Sequence, residues 1–238
     1  MGRALLFALT LFSLPTFAVE LTPFSASYTA DWKQLPVSGS AERSLQALDN
    51  GLWQLNFEAS MLVAGLTEQS TLRVDNDVFL PQTYKYKRNG LGKGKTIEHD
   101  FDWDAKQVIG SDRDTPVRLP LNRGLLDKST YQLALQYDVA AGTKSMSYQV
   151  VDGDEVETYD FRVLGEESVR TKAGLIDAVK VERVRDPTQS SRKTILWFAK
   201  DWDFLLVRLH QIEKDGKEYQ IMLKEGTVDG KAVEGRQD

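Results

Sequence analysis

The pattern that most limits what this chain can become is a period-two alternation of apolar and polar residues that recurs along most of its length. Phe24, Ala26, Tyr28, Ala30 and Trp32 alternate with Ser25, Ser27, Thr29 and Asp31, and Trp53, Leu55, Phe57, Ala59 and Met61 alternate with Gln54, Asn56, Glu58 and Ser60. Successive side chains of a strand point to opposite faces, so such runs read as strands with one buried face. Weaker extended character covers Ser40 to Leu48, and strands follow at Thr67 to Val74, Thr83 to Arg88 and Thr96 to Trp103. Later strands are expected at Ser145 to Val151, Glu155 to Leu164, Leu175 to Val184, Lys193 to Phe198, Leu205 to Glu213 and Glu218 to Lys224. Asp49-Asn50-Gly51, Asp152-Gly153 and Asp215-Gly216 supply the tight turns between neighbours. The fold class is therefore mainly β, an antiparallel meander that makes a curved sheet, half-barrel or barrel, either as one unit or as two halves.

One segment has the other period. From Asp127 to Ala141, Leu133, Ala134, Tyr137 and Ala141 fall on one helical face, and Leu126 and Tyr131 flank an Asp127 cap as a hydrophobic staple. Ser129 and Gln132 offer an alternative capping box, and Gly142 can close the helix. This central helix either joins two β halves or lies across the mouth of a single curved sheet.

The beginning of the chain has a separate meaning. Arg3 is followed by a mostly apolar run from Ala4 to Leu14, then Pro15 and Thr16-Phe17-Ala18, the order of a secretory signal peptide cleaved after Ala18. The run is too short to span a bilayer as a helix, which takes about 20 apolar residues. The expected organisation is a signal peptide at 1-18, a single β-rich domain at 19-225 and a polar, flexible tail at 226-238, with the mature protein periplasmic or secreted. Small exported domains often depend on disulfides, but this chain has no Cys, and about 220 residues can bury enough core without them. The same absence excludes thiol catalysis and thiolate metal sites. The net charge is -5, or -6 once Arg3 is removed, with signs interspersed, which does not suit a nucleic-acid surface.

Residues that could carry chemistry are sparse. His99 and His210 both fall in expected strands with no neighbouring metal-ligand spacing. Asp100, Asp102 and Asp104 resemble the start of a calcium loop, but Ala105 and Ser111 stand where that loop needs Gly and Glu, so an acidic strand face ending in a turn is the better reading. Gly90, Gly92 and Gly94, interleaved with Lys93 and Lys95, lead into a strand rather than a helix and so make a basic hairpin tip instead of a phosphate cradle. No Gly-x-Ser-x-Gly elbow occurs, and no pair among the 35 acidic residues stands out. No catalytic residue, metal ligand or cofactor is therefore assigned. The remaining candidates are aromatic: Trp32, Trp53, Phe57, Tyr84, Tyr86, Phe101 and Trp103 could line the concave side of a curved sheet, although large aromatics at alternate strand positions usually form core.

From Pro81 to Lys224 the order of features resembles a family of exported bacterial proteins, domain of unknown function 3108. The likeness rests on Leu80-Pro81 before a basic aromatic strand, KTIEHDFDWDAKQVIG from Lys95 to Gly110 and Leu126 to Ser129 at the helix start. It continues through VLGEESVRTKAGLIDAVKVERV from Val163 to Val184 and Trp197-Phe198 feeding LVRLHQIEKDGKEYQIML up to Leu223. The resemblance implies an envelope location and a β-rich fold, and it transfers no catalytic residues. In layout only, the chain is also similar to periplasmic lipoprotein carriers, whose unclosed sheet wraps an apolar cavity. The functional expectation is a non-catalytic carrier for an apolar or amphipathic envelope molecule. The alternatives are an interaction protein for another envelope protein or a glycan, and an enzyme acting on an envelope polymer.

Overall fold

The computed structural model describes residues 20–32, 37–62, 64–90 and 93–237. The expected signal peptide and its cleavage position lie outside these residues. The chain runs through strands β1 (Phe24–Trp32), β2 (Val37–Ala47), β3 (Trp53–Met61), β4 (Ala64–Asp75), β5 (Val78–Asn89), β6 (Lys95–Asp102), β7 (Gln107–Asp112), β8 (Thr115–Pro120) and β9 (Leu125–Leu126). Helix α1 (Thr130–Ala140) follows, and then β10 (Ser145–Asp152), β11 (Glu155–Thr171), β12 (Gly174–Val184), β13 (Lys193–Ala199), β14 (Leu205–Ile212), β15 (Glu218–Val228) and β16 (Lys231–Ala232).

All sixteen strands form one sheet, in the order β8-β7-β6-β5-β4-β3-β2-β1-β15-β14-β13-β12-β11-β10-β9, with β16 on β15. Among the described residues only the β9–β10 pair is parallel. The two outermost strands, β8 and β9, are consecutive in sequence, while β1 and β15 pair in the middle of the sheet. Tyr84 on β5 and Val151 on β10 are ten strand positions apart, about 48 Å along a flat sheet. They nevertheless share a buried cluster with Ile97, Phe101, Val108, Leu121 and Leu125, so the sheet curls until its two ends meet through side chains. Among the described residues no backbone ladder joins β8 to β9, and the sheet is not closed into a barrel. Register shifts at Ser27/Tyr28, Thr71/Leu72, Val163/Gly165 and Trp197/Phe198 add local twist that helps the curl.

Helix α1 plugs one end of this curl. Leu133, Ala134, Leu135 and Val139 join a core built from both arms of the sheet, including Phe24, Leu45, Leu55, Leu72, Val150, Phe161, Phe198 and Leu205. The Tyr137 hydroxyl accepts from the Thr22 N–H and donates to the Glu20 carbonyl, and Gln136 donates to the Asp203 carbonyl. The helix begins three residues later than its sequence pattern suggests because Asp127 acts as an anchor ahead of it. Asp127 Oδ1 accepts from the Ser129 and Thr130 amides at 2.8 Å each and from Ser70 Oγ at 2.6 Å, while Oδ2 accepts from Thr130 Oγ1 at 2.7 Å.

The segment after 225 differs from the loose tail expected from its polarity. Gly226 to Val228 continue β15, β16 pairs back on it, and Val233 is buried. Arg236 bridges to Leu175 and holds Asp177 at 2.9 Å. Ladder hydrogen bonds and two buried valines, Val228 and Val233, fix this stretch, neither of which needs apolar periodicity.

Gly110 on β7 pairs with His99 on β6. A Cβ there would lie 1.9 Å from the Glu98 carbonyl oxygen. Gly110→Ala is therefore expected to lower stability by about 2 kcal/mol, read as a shift of the urea midpoint without a change of slope. A change below about 0.5 kcal/mol would mean the strands separate freely at this point.

Candidate functional site

The inward face of the curl changes character along each strand. On β4 the inward residues are Leu72 in the core, Ser70 on the helix anchor, Glu68 on the Tyr84 hydroxyl at 2.5 Å, and Leu66 at an open recess. Register sets Leu45, Leu55, Ser70, Tyr84 and His99 in one row, and Arg43, Phe57, Glu68, Tyr86 and Ile97 in the next. The molecule is thus packed and apolar beside α1, polar in the middle, and hollow toward the far ends of β1, β14 and β15.

One cavity lies at that hollow end, and a second runs from its border back to the start of α1. The first is an apolar recess of about 430 Å³, walled by Trp32, Met61, Leu62, Leu66, Tyr219 and Ile221 with Ala30, Ala59, Ala64 and Leu209. Trp32 leans on Tyr219 with ring centroids 5.3 Å apart. Its indole N–H is buried and has no hydrogen-bond partner among the described residues. Leu62, at the tip of the β3–β4 hairpin with a positive φ of 50°, is 80% exposed at the rim. The second cavity, about 700 Å³, is polar and lies between β10–β14 and the start of α1. Lys128, Arg183, Arg185 and Arg192 line it, together with Tyr131, Tyr159 and Phe161. Leu209 belongs to both cavities, so they adjoin on one surface.

The polar middle is charged and tightly bonded. Asp152 receives Lys128 Nζ and the Tyr159 hydroxyl, each at 2.6 Å. Burial pushes the Asp152 carboxyl up, but Lys128 and the two hydrogen bonds outweigh it and hold the group below the ordinary carboxylate range. Glu68 goes the other way: burial lifts it to about 7 against the hydrogen bond from Tyr84 and the pull of Lys128. Arg185 is lowered to about 10, first by burial and then by the Arg183 and Arg192 guanidiniums. The Arg183 guanidinium lies 3.3 Å above the Tyr159 ring, a cation–π contact that holds it flat against the cavity wall.

The seven aromatics singled out from sequence are not gathered in one place. Trp32 lines the apolar recess. Trp53 and Phe57 pack against the main core, Tyr84 and Phe101 belong to the cluster that joins the sheet ends, and Tyr86 and Trp103 pack against it. The Trp103 indole donates to the Pro81 carbonyl at 2.7 Å. His99 is buried with its ring stacked on Tyr84, and His210 meets Glu218 at 2.9 Å. Among the described residues no group of three or more His, Asp and Glu side chains is placed to hold a metal. No helix among them is long and apolar enough to cross a membrane. Sequence reading missed the polar cavity, and Arg183, Arg185 and Arg192 give a faint signal for it as three arginines around the β12–β13 connection.

A solved structure from Brucella abortus, described as a β-barrel-like protein of domain of unknown function DUF1849, superposes with a TM-score of 0.59 at 11% identity. The match covers 88% of this chain and 99% of that one, and at this identity it speaks to the fold alone. No curated protein matches. Residues 27–224 match the family described as protein of unknown function (DUF3108), a span that includes both cavities' strands and the helix between them, and the chain belongs to that family.

Proposed function

We propose that the protein is a non-catalytic binding or carrier module of the bacterial envelope, exported to the periplasm, that holds an apolar or amphipathic guest at the open end of its curled sheet. The observation that carries this reading is the apolar recess around Trp32, Met61, Leu66 and Tyr219, left unfilled while the buried core closes on Leu133, Leu135 and Val139 of α1. Ligand sites are typically concave and mostly apolar with a few placed polar groups, which describes this recess and its unpartnered indole N–H. The recess is large enough for one acyl chain and too small for a folded partner.

The test is native mass spectrometry of protein purified from the periplasm, followed by titration of the stripped protein with single-chain amphiphiles below their micelle concentrations. A stoichiometric guest, or saturable binding that changes tryptophan emission, is the expected result. Trp32→Ala is expected to weaken binding by about tenfold, since a large aromatic wall contributes a kilocalorie or more. Failure to retain or bind any amphiphile would remove the carrier reading. Exposure of Leu62 favours a second reading, in which the β3–β4 hairpin tip engages another envelope protein. Crosslinking from position 62 to one defined protein in cells, with no bound lipid, would select it.

A further inference from the structure

The polar cavity beside the recess holds more guanidinium than its carboxylates use. Arg192 is committed to Glu213 at 2.6 Å, and Arg183 approaches Glu157 at only 3.6 Å while its buried Nε has no hydrogen-bond partner among the described residues. Arg185 reaches only the Arg192 carbonyl at 3.4 Å and Thr194 Oγ1 at 3.2 Å, and no carboxylate among the described residues lies within ion-pair distance of it. The other acids on the cavity are occupied or turned away. Asp152 is held by Lys128 and Tyr159, Asp186 by Thr188, and Asp160 is exposed. Three guanidiniums in one hollow repel one another, so an unpaired one among them creates a vacancy for negative charge.

The register links this vacancy to the recess. Thr194, which Arg185 touches, pairs with Gln211, which pairs with Tyr219, which pairs with Trp32. One row of inward residues therefore passes from guanidinium to indole across three strand spacings, about 14 Å. That span suits a headgroup at one end and the upper part of an alkyl chain at the other, with Leu209 as the shared floor.

We infer that Arg185, assisted by Arg183 and Thr194, is the headgroup subsite of this binding module, and that its guest is a single-chain amphiphile carrying an oxyanion. The inference rests on the reading of the recess as a ligand site. Arg is suited to the role because its planar fork meets two oxygens of a phosphate or carboxylate at once.

The experiment compares monododecyl phosphate with 1-O-dodecylglycerol by calorimetry on the full mature chain, in the wild type, Arg185→Gln, Arg185→Lys and Trp32→Ala. The wild type is expected to prefer the phosphate by about tenfold or more, since charge-assisted hydrogen bonds are among the stronger polar contacts. Arg185→Gln should bring the two affinities within about twofold, with most of the loss falling on the phosphate. Arg185→Lys should retain part of the preference, and Trp32→Ala should weaken both ligands together. Equal wild-type affinities would overturn the headgroup subsite and leave the recess reading standing. A wild type that binds neither amphiphile would overturn both. An Arg185→Gln protein with unchanged preference, or with both ligands lost in parallel, would also overturn the assignment.

Discussion

Replacing Asp127 by alanine is expected to lower the free energy of unfolding by about 4 kcal/mol, the largest single effect foreseen for this molecule. Its carboxylate is fully buried and accepts four hydrogen bonds, from Ser70, from the Ser129 amide and from both the amide and the hydroxyl of Thr130. Alanine leaves those donors without an acceptor in a place water does not reach, and it removes the anchor ahead of the only α-helix among the described residues. It also unfastens the helix from β4, because Ser70 is the other end of that bond. For a chain of this size the loss corresponds to about 10 °C in the thermal midpoint. Asp127→Asn separates charge from hydrogen bonding. Burial already pushes the Asp127 carboxyl above its usual range, so the neutral amide is expected to cost only about 1–2 kcal/mol. Urea unfolding of the two variants side by side makes the comparison. Equal losses would mean that the charge, and not the geometry, is what the site requires.

The second large effect has the opposite sign and depends on pH. Glu68 is lifted from 4.5 to about 7 by burial, so the fold prefers its neutral acid. Below about pH 4.5 both folded and unfolded chains carry the proton and the position costs nothing. Between 4.5 and 7 the unfolded chain releases its proton first, and stability falls as pH rises; above 7 the full penalty is present, about 3 kcal/mol. Glu68→Gln keeps an oxygen to accept from Tyr84 and cannot ionise. It is expected to match the wild type at pH 4 and exceed it by about 2–3 kcal/mol at pH 8, measured by urea midpoints across that range. A constant difference at all pH values would show that Glu68 is ionised without penalty. Lys128 and Asp152 are close enough for their charges to act on Glu68, the first lowering and the second raising it.

Much of the sheet was legible because its strands are half-buried one at a time. The alternation in Phe24–Trp32 and Trp53–Met61 gives both strand limits directly, and Asp152-Gly153 marks the β10–β11 turn. Strands β7 and β8 were not legible: QVIGSD and TPVRLP bury Val108 and Val117, leave Ile109 and Leu119 half-buried, and otherwise carry a glycine, two prolines and polar residues. Their place is set by neighbours, with Val108 fitting beneath Phe101 and Leu121 in the seam cluster. The second half of β11 past Gly165 was hidden for a similar reason, because EESVRT is mostly exposed and only Val169 is buried.

The site was less legible than the fold, and the cause is the same rule applied too simply. Period-two reasoning assigns apolar residues to the inside and polar ones to water, yet Arg43, Glu68, Ser70 and Thr194 all stand on the inward face. What keeps three of them there is a side-chain partner, Glu68 with Tyr84, Ser70 with Asp127 and Thr194 with Arg185, while Arg43 lies over the Phe24 ring. Those partners are 16, 57 and 9 residues apart, and nothing in local spacing announces them. The aromatic residues erred in the complementary direction as a guide, since Tyr84, Phe101 and Trp103 close the seam between the sheet ends while the recess is walled by Met61, Leu66, Tyr219 and Ile221 as much as by Trp32.

The pairing of the first strand with the fifteenth has a kinetic consequence. Each arm of the sheet is a run of local hairpins that can form as the chain emerges, but β1 keeps one edge bare until a strand some 200 residues later arrives to cover it. Contacts of such long sequence separation are slow to form, so the arrival of β15 sets the folding time and the waiting edge is where two chains would pair wrongly. The same topology states the remedy. A circular permutant that joins the two ends and opens the chain between β8 and β9 would have its strands in the order in which they lie, and every ladder in the sheet would become a contact between neighbours.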